Sequence, residues 1–151
     1  MLRQAFTDRL KQAMKARDAR TVSTVRLIIA GLKDRDIAAR GEGNTEGVSE
    51  TEIKRLLQAM VKQRRESIAL YEQGNRADLA QQEGEEITVI ESFLPRQFDK
   101  DEIDAAVKAV IKETEAASIK DLGKVMAALR ERYAGVIDLG QAGAIVRRLL
   151  G

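Results

Sequence analysis

Apolar residues recur along almost the whole chain at the three- and four-residue spacing of amphipathic helices. Seven segments show this spacing, and no segment alternates apolar and polar residues for long enough to predict a strand. A glycine-containing loop interrupts the pattern at residues 39–48, and the only proline, Pro95, ends the fourth helical segment. The pattern therefore predicts an all-α protein.

Capping residues indicate where several of these helices begin and end. Ser49, Asp99 and Ser118 are each followed three residues later by an acidic residue, which is the spacing of a capping box. Gly74 is predicted to close the third helix, and Asn75 to cap the fourth. These signals divide the chain into the same helices as the apolar spacing does.

The helices fall into two groups on either side of Pro95. The first four have long, strong apolar stripes, whereas the last three are short and need mutual packing for stability. We therefore predict a four-helix N-terminal module over residues 1–95, followed by a small three-helix C-terminal module over residues 96–151.

Missing residue types argue against several kinds of active site. The chain has no histidine and no cysteine, so it lacks the commonest general base, the commonest nitrogen ligand for metals and any thiolate. The loop at 39–48 does not carry the pattern of a phosphate-binding loop. We expect no catalytic residue, no metal and no cofactor, and hence a protein that acts by binding.

Glu83 and Glu86 are the carboxylates best placed to form an acid–base couple, since they share the apolar stripe of the fourth helix. Arg26 and Arg64 lie on the corresponding stripes of the second and third helices. Buried charges persist when they are paired. We therefore favour an ion-pair network joining the three helices over catalysis.

Charge is distributed unevenly, although the net charge is only +2. Residues 1–40 carry ten basic and four acidic residues, whereas residues 77–94 carry five acidic residues and no basic one. This asymmetry could attract a polyanion, or the two segments could pack together and cancel. Candidate contacts for RNA phosphates are Lys62, Arg65, Arg76, Lys120 and Lys124. The alternative is an ordinary solvated surface with few aromatic residues to stack on bases.

Several motifs, in the same order along the chain, resemble the GatB/YqeY family. The matching segments are residues 14–18, 26–28, 60–71, 74–79, 93–97 and 123–126. This family comprises small stand-alone YqeY proteins, and a similar domain forms the tail of the B subunit of the tRNA-dependent amidotransferase. The resemblance spans almost the whole chain.

The resemblance implies a two-part helical fold and a link to glutamine-dependent carbon–nitrogen ligases. In the amidotransferase the tail domain resembles a tRNA-holding element, while catalysis lies in other domains and subunits. The implied partners are tRNA and proteins of the aminoacylation or amidotransferase machinery. The sequence departs from the family pattern at the turn of residues 135–139, which lacks the basic residue that many relatives carry. If that turn contacts RNA in relatives, the contact is weaker here.

Three functional hypotheses follow. The first is a tRNA-associated binding module, and the second is a protein–protein adaptor that uses exposed apolar surface on the C-terminal helices. The third is an amidotransferase in its own right, for which we expect no activity. The N-terminus lacks the apolar run of a signal peptide and no segment is long enough to span a membrane, so we expect a cytoplasmic protein.

Overall fold

The computed structural model describes residues 1–151 and contains seven α-helices and no β-strand, which confirms the all-α prediction. The helices are α1 (Leu2–Ala16), α2 (Ala19–Gly41), α3 (Glu50–Gln73), α4 (Ala77–Glu91), α5 (Lys100–Glu113), α6 (Leu122–Arg132) and α7 (Leu139–Leu150). A short 3-10 turn at Ile119–Asp121 precedes α6. The loop predicted to begin at residue 39 begins later, because α2 continues to Gly41.

Residue contacts cluster into two compact units, Met1–Leu94 and Pro95–Gly151. In the first unit α3 and α4 pack most extensively against each other, and α2 contacts each of the other three helices. In the second unit each of the three helices packs against the other two. Each unit has its own apolar core.

The core of the first unit draws one face from each of its four helices. Ile28, Leu57 and Ile90 come from α2, α3 and α4 and are fully buried. The ring of Phe6, from α1, meets that of Phe93 edge-on, with 4.8 Å between the ring centroids. Burial of each such side chain contributes about 1.5–3 kcal/mol relative to exposure, so these contacts hold the four helices together.

The core of the second unit is made largely of β-branched and leucine side chains. Val107, Val125 and Val146 are fully buried and come from α5, α6 and α7. Phe98 and Tyr133 pack at its edge, with 5.3 Å between their ring centroids. Short helices are marginal in isolation, so this shared core is what keeps α5–α7 folded.

The buried face of α2 includes two polar residues that apolar spacing does not predict. Thr21 and Thr24 are buried, whereas the apolar Val22 is only half-buried. Both hydroxyls are satisfied locally, since Thr21 Oγ1 donates to Asp18 Oδ2 at 2.6 Å and Thr24 Oγ1 donates to the Arg20 carbonyl at 2.8 Å. A threonine whose hydroxyl is bonded within its own helix can face a core at little cost.

The sequence predicted that Asn75 caps α4, and this prediction was wrong, because the residue before α4 is Arg76. Asn75 adopts the left-handed conformation after α3, with φ 57°. Its N–H donates to the Glu72 carbonyl at 3.2 Å, and the N–H of Arg76 donates to the Tyr71 carbonyl at 2.8 Å, which is the Schellman pattern. Gly74 has an ordinary φ of −85°. Asparagine takes the left-handed position because its short side chain tolerates it.

A bidentate ion pair fixes the loop between α2 and α3. Arg3 Nη1 and Nη2 donate to the two carboxylate oxygens of Asp36 at 2.7 and 2.9 Å, and Asp36 Oδ1 also accepts from the Val48 N–H at 2.9 Å. A Cβ at Gly47, where φ is +96°, would lie 2.8 Å from Arg3 Nη2. The guanidinium and the Val48 N–H lower the pKa of Asp36 from its ordinary 3.8 to about 2.

We expect Asp36→Asn to lower the free energy of unfolding at pH 7 by about 1–2 kcal/mol, because charge-assisted hydrogen bonds are lost beside an arginine that is itself half-exposed. The folded-state pKa lies below the unfolded one, so the contribution is present above about pH 4 and disappears as the pH falls toward 2. Urea unfolding at several pH values measures it. Asp34→Asn, at an exposed position of the same helix, is the control, and an equal loss there would contradict the prediction.

Candidate functional site

Arg64 of α3 lies between two glutamates of α4. Its Nε is 3.1 Å from Glu86 Oε2 and 3.9 Å from Glu83 Oε2, and its Nη1 donates to the Met60 carbonyl at 3.2 Å. The side chains of Arg64, Glu83 and Glu86 are 12%, 20% and 11% exposed. The structure thus brings together three of the four residues predicted to form the ion-pair network.

Arg26, the fourth predicted member, does not take part and is exposed to solvent. The arginine of α2 that reaches the network is Arg20, whose Nη1 is 4.0 Å from Glu86 Oε1 and whose Nε is 3.2 Å from Glu85 Oε2. The physical reason is the rotation of α2. Its buried residues include Thr21, Thr24 and Val25, and Arg26 lies outside this buried face.

Arg64 is therefore the cation nearest to both carboxylates. Burial and the neighbouring charge of Glu86 raise the pKa of Glu83, and the positive charge of Arg64 only partly opposes them. No group of three or more acidic residues is placed to hold a metal ion. Since the carboxylates are held by Arg64 and Arg20, the geometry supports a structural ion-pair network rather than an acid–base couple.

The predicted RNA-binding residues of the first unit all lie at its surface. Lys62 and Arg65 are exposed on α3, and Arg76 follows the end of that helix. Arg65 Nη2 lies 3.3 Å from Glu91 Oε1, and Arg76 Nη2 lies 3.1 Å from Asp78 Oδ2. Exposed pairs of this kind contribute little to stability, so both arginines can exchange their partners for an incoming anion.

The predicted RNA-binding residues of the second unit are Lys120 and Lys124, which are also exposed. Lys120 lies in the 3-10 turn, and Lys124 in the first turn of α6. Lys124 Nζ donates to the Thr114 carbonyl at 2.8 Å, at the C-terminal end of α5. A cation is favoured there by the helix dipole, so Lys124 has a structural contact as well as an exposed charge.

A groove at the turn between α1 and α2 was not predicted from the sequence. It has a volume of about 490 Å³ and is lined by Met14, Arg17, Ala19, Val22, Ser23 and Arg26. The ion pairs of α1 and α2 use Arg3, Arg20 and Asp36, which leaves both lining arginines without an acidic partner. The one sequence signal was Arg26 itself, a cation on an apparently apolar stripe.

The chain matches the protein-family model described as "Yqey-like protein" over residues 3–150 and therefore belongs to that family. This confirms the resemblance that its motifs carried. The match covers both units.

Two curated relatives share the name "Altered inheritance of mitochondria protein 41, mitochondrial". The protein from Lachancea thermotolerans is 32% identical over 69% of this chain and 54% of its own length. The protein from Kluyveromyces lactis is 28% identical over 71% of this chain and 57% of its own length. The chain thus spans about half the length of the curated relatives it matches.

The names of these relatives contradict the expectation of a cytoplasmic protein, since they place those proteins in mitochondria. Composition could not have predicted the compartment, because proteins are directed to compartments by targeting segments and not by a folded helical domain. Separately, none of the helices combines the length and the apolar character needed to cross a bilayer.

We expect Arg64→Met to lower the free energy of unfolding by about 3 kcal/mol, because it leaves the buried Glu86 carboxylate without its closest cation. Adding Glu86→Leu should recover most of the loss, since an apolar pair can replace a buried ion pair. Urea unfolding measures both variants. Arg65→Met, at the next and exposed position, is the control and should change stability by less than about 0.5 kcal/mol. A double variant no more stable than Arg64→Met would contradict the ion-pair interpretation.

We expect Glu83→Gln to raise the free energy of unfolding at pH 7. The pKa of Glu83 is higher in the folded state than its ordinary 4.5, so its ionisation opposes folding increasingly as the pH rises above about 4.5, and fully above the folded-state pKa. The gain should therefore vanish below about pH 4.5, where both states are protonated. Glu85→Gln, which removes the exposed partner of Arg20, serves as the control and should produce no gain. A gain for Glu83→Gln that persists unchanged into acid would contradict the prediction.

Proposed function

We propose that this YqeY-like protein is a tRNA-associated binding module, related to the glutamine-dependent tRNA amidotransferases and not catalytic by itself. The observation that carries the proposal is the set of exposed cations on α3 and α6, which are held by weak partners or by none. The resemblance to the tail domain of the tRNA-dependent amidotransferase B subunit also supports the proposal.

Two cations of α3 share one face of the helix. Lys62 and Arg65 are three residues apart, so they lie on one face of the helix, about 4.5 Å apart along its axis. Lys62 is exposed, and the ion pairs of α3 involve Glu50, Arg64 and Arg65 instead of it. A phosphate that replaced Glu91 beside Arg65 would exchange one exposed ion pair for another at little cost.

The second unit offers a separate cationic pair. Lys120 and Lys124 are four residues apart, on either side of the junction between the 3-10 turn and α6. The Thr114 carbonyl takes one N–H of the Lys124 ammonium group. Two further N–H groups stay available for a phosphate. The contact with Thr114 also holds the ammonium group in place before an anion arrives, which reduces the entropy lost on binding.

A second candidate function, a protein–protein adaptor of the translation machinery, is favoured by exposed apolar residues in the second unit. Ile119 and Leu149 are 46% and 41% exposed, although both are large apolar side chains. Single exposed residues of this kind are common on soluble proteins, so the cationic surface is the stronger argument. Recovery of a protein partner that survives nuclease treatment and moderate salt would favour the adaptor.

We expect tRNA binding to weaken steeply with salt, because each neutralised phosphate releases a counterion. Lys62→Gln and Lys124→Ala should each reduce the slope of log affinity against log salt by about 1. Fluorescence anisotropy with labelled tRNA between roughly 50 and 200 mM salt measures the slope. Lys33→Gln removes an exposed charge of α2 outside the proposed contacts and should leave the slope unchanged. Absence of binding even at the lowest salt would reject the proposal.

A further inference from the structure

The groove between the end of α1 and the start of α2 combines unpaired positive charge, a hydrogen-bond acceptor and apolar surface. Its volume of about 490 Å³ falls in the range of small-molecule sites, roughly 300–1,000 Å³. We infer that it binds a nucleoside monophosphate unit, either as a free nucleotide or as an unpaired nucleotide of an RNA.

Two guanidinium groups make the groove a site for an anion. Arg17 follows α1 and Arg26 lies two turns into α2, so the charges reach the groove from different helices. Arg20, the arginine between them in sequence, is already committed to Glu85 and Glu86. Guanidinium groups bind phosphate through paired N–H donors. A phosphate here would acquire partners without breaking any ion pair of the free protein.

Ser23 gives the groove a second kind of recognition. Its Oγ donates to the Arg20 carbonyl at 3.1 Å. With the hydroxyl proton placed on this carbonyl, the lone pairs of the oxygen remain for a ligand group that donates a hydrogen bond. A ribose hydroxyl or a base amino group would donate to this oxygen, which favours a nucleoside attached to the phosphate.

The remaining lining is apolar and can support a base. Met14 is 52% exposed although it is a large apolar residue, and Val22 is half-buried beside it. A thioether is polarizable and makes favourable contacts with aromatic rings. A base lying on Met14 would cover a surface that the protein alone leaves in water.

A helical partner peptide fits the groove less well. Docking of an amphipathic helix needs a row of apolar contacts spaced over two or more turns. Among the large apolar residues near this turn, only Met14 and Leu27 are prominently exposed, and Leu27 is not part of the groove lining. The apolar area thus suits one flat ring rather than a helix face.

The inference is tested by titrating the isotope-labelled protein with AMP and following backbone amide signals by NMR. AMP should shift the signals of Met14, Arg17, Ala19 and Ser23. Arg26→Gln should lower the affinity for AMP about tenfold, the usual effect of losing a charge-assisted hydrogen bond. Arg35→Gln is the matched control, because this exposed arginine lies nine residues further along α2 and on the opposite face of the helix.

A second variant separates binding from folding. Arg17 adopts the left-handed conformation, with φ 56°, which favours glycine. Arg17→Gly should therefore leave the thermal midpoint unchanged or raise it, while it lowers the affinity for AMP about tenfold. Weaker binding with unchanged or higher stability cannot be attributed to loss of the fold.

Further ligands distinguish the sources of the nucleotide. Inorganic phosphate and adenosine should each bind more weakly than AMP. A short unpaired RNA that binds more tightly than AMP, with the same dependence on Arg26, would identify the RNA nucleotide as the ligand. The inference would be overturned if phosphate bound as tightly as AMP, if a polyglutamate peptide were preferred, or if Arg35→Gln were as harmful as Arg26→Gln. Lys62→Gln should not affect AMP binding, so the AMP site and the proposed tRNA surface can fail their tests independently.

Discussion

The contact between α3 and α4 holds Arg64 against two carboxylates, and Arg20 of α2 approaches one of them, so these charges constrain three helices at once. Burial and the charge of Glu86 raise the pKa of Glu83, which Arg64 only partly opposes, and Arg20 of α2 lies 4.0 Å from Glu86. A purely apolar seam would tolerate rotation or sliding of a helix by a fraction of a turn. Here each such movement would separate a buried charge from its partner, at a cost of several kcal/mol.

The basic residues of the first unit differ in their acidic partners. Arg3, Arg20 and Arg64 contact acidic residues of other helices and hold elements in place. Arg17, Arg26 and Lys62 lie at the surface outside the ion pairs, and Arg65 has both roles, since it pairs with Glu91 at an exposed site. Composition cannot separate these residues, since it does not show which helices pack together. Substitutions at the unpaired positions can therefore alter binding with little effect on stability.

Periodicity and capping chemistry were enough to predict the helices, because they act over a few neighbouring residues. Asp99 and Glu102 form the full reciprocal capping box expected of them. The stripes of α3 and α4 also placed Arg64 opposite its glutamates. The face of α2 could not be predicted in the same way. Thr21 and Thr24 count as polar in a pattern, but they are buried because their hydroxyls are bonded locally. The sequence pattern therefore placed Arg26 in the network, and it did not predict the groove.

The end of α1 places an arginine at a backbone position that favours glycine. Arg17 adopts a left-handed conformation that costs a non-glycine residue about 1–2 kcal/mol. The Schellman bonds that close the helix are made by backbone atoms, through the N–H groups of Arg17 and Asp18, so glycine would make them without this cost. The backbone therefore gives no reason for arginine at this position. Glu115 adopts the same conformation at the end of α5, so what distinguishes Arg17 is its place in the groove that Arg26 also lines, where the proposed anion would use its charge.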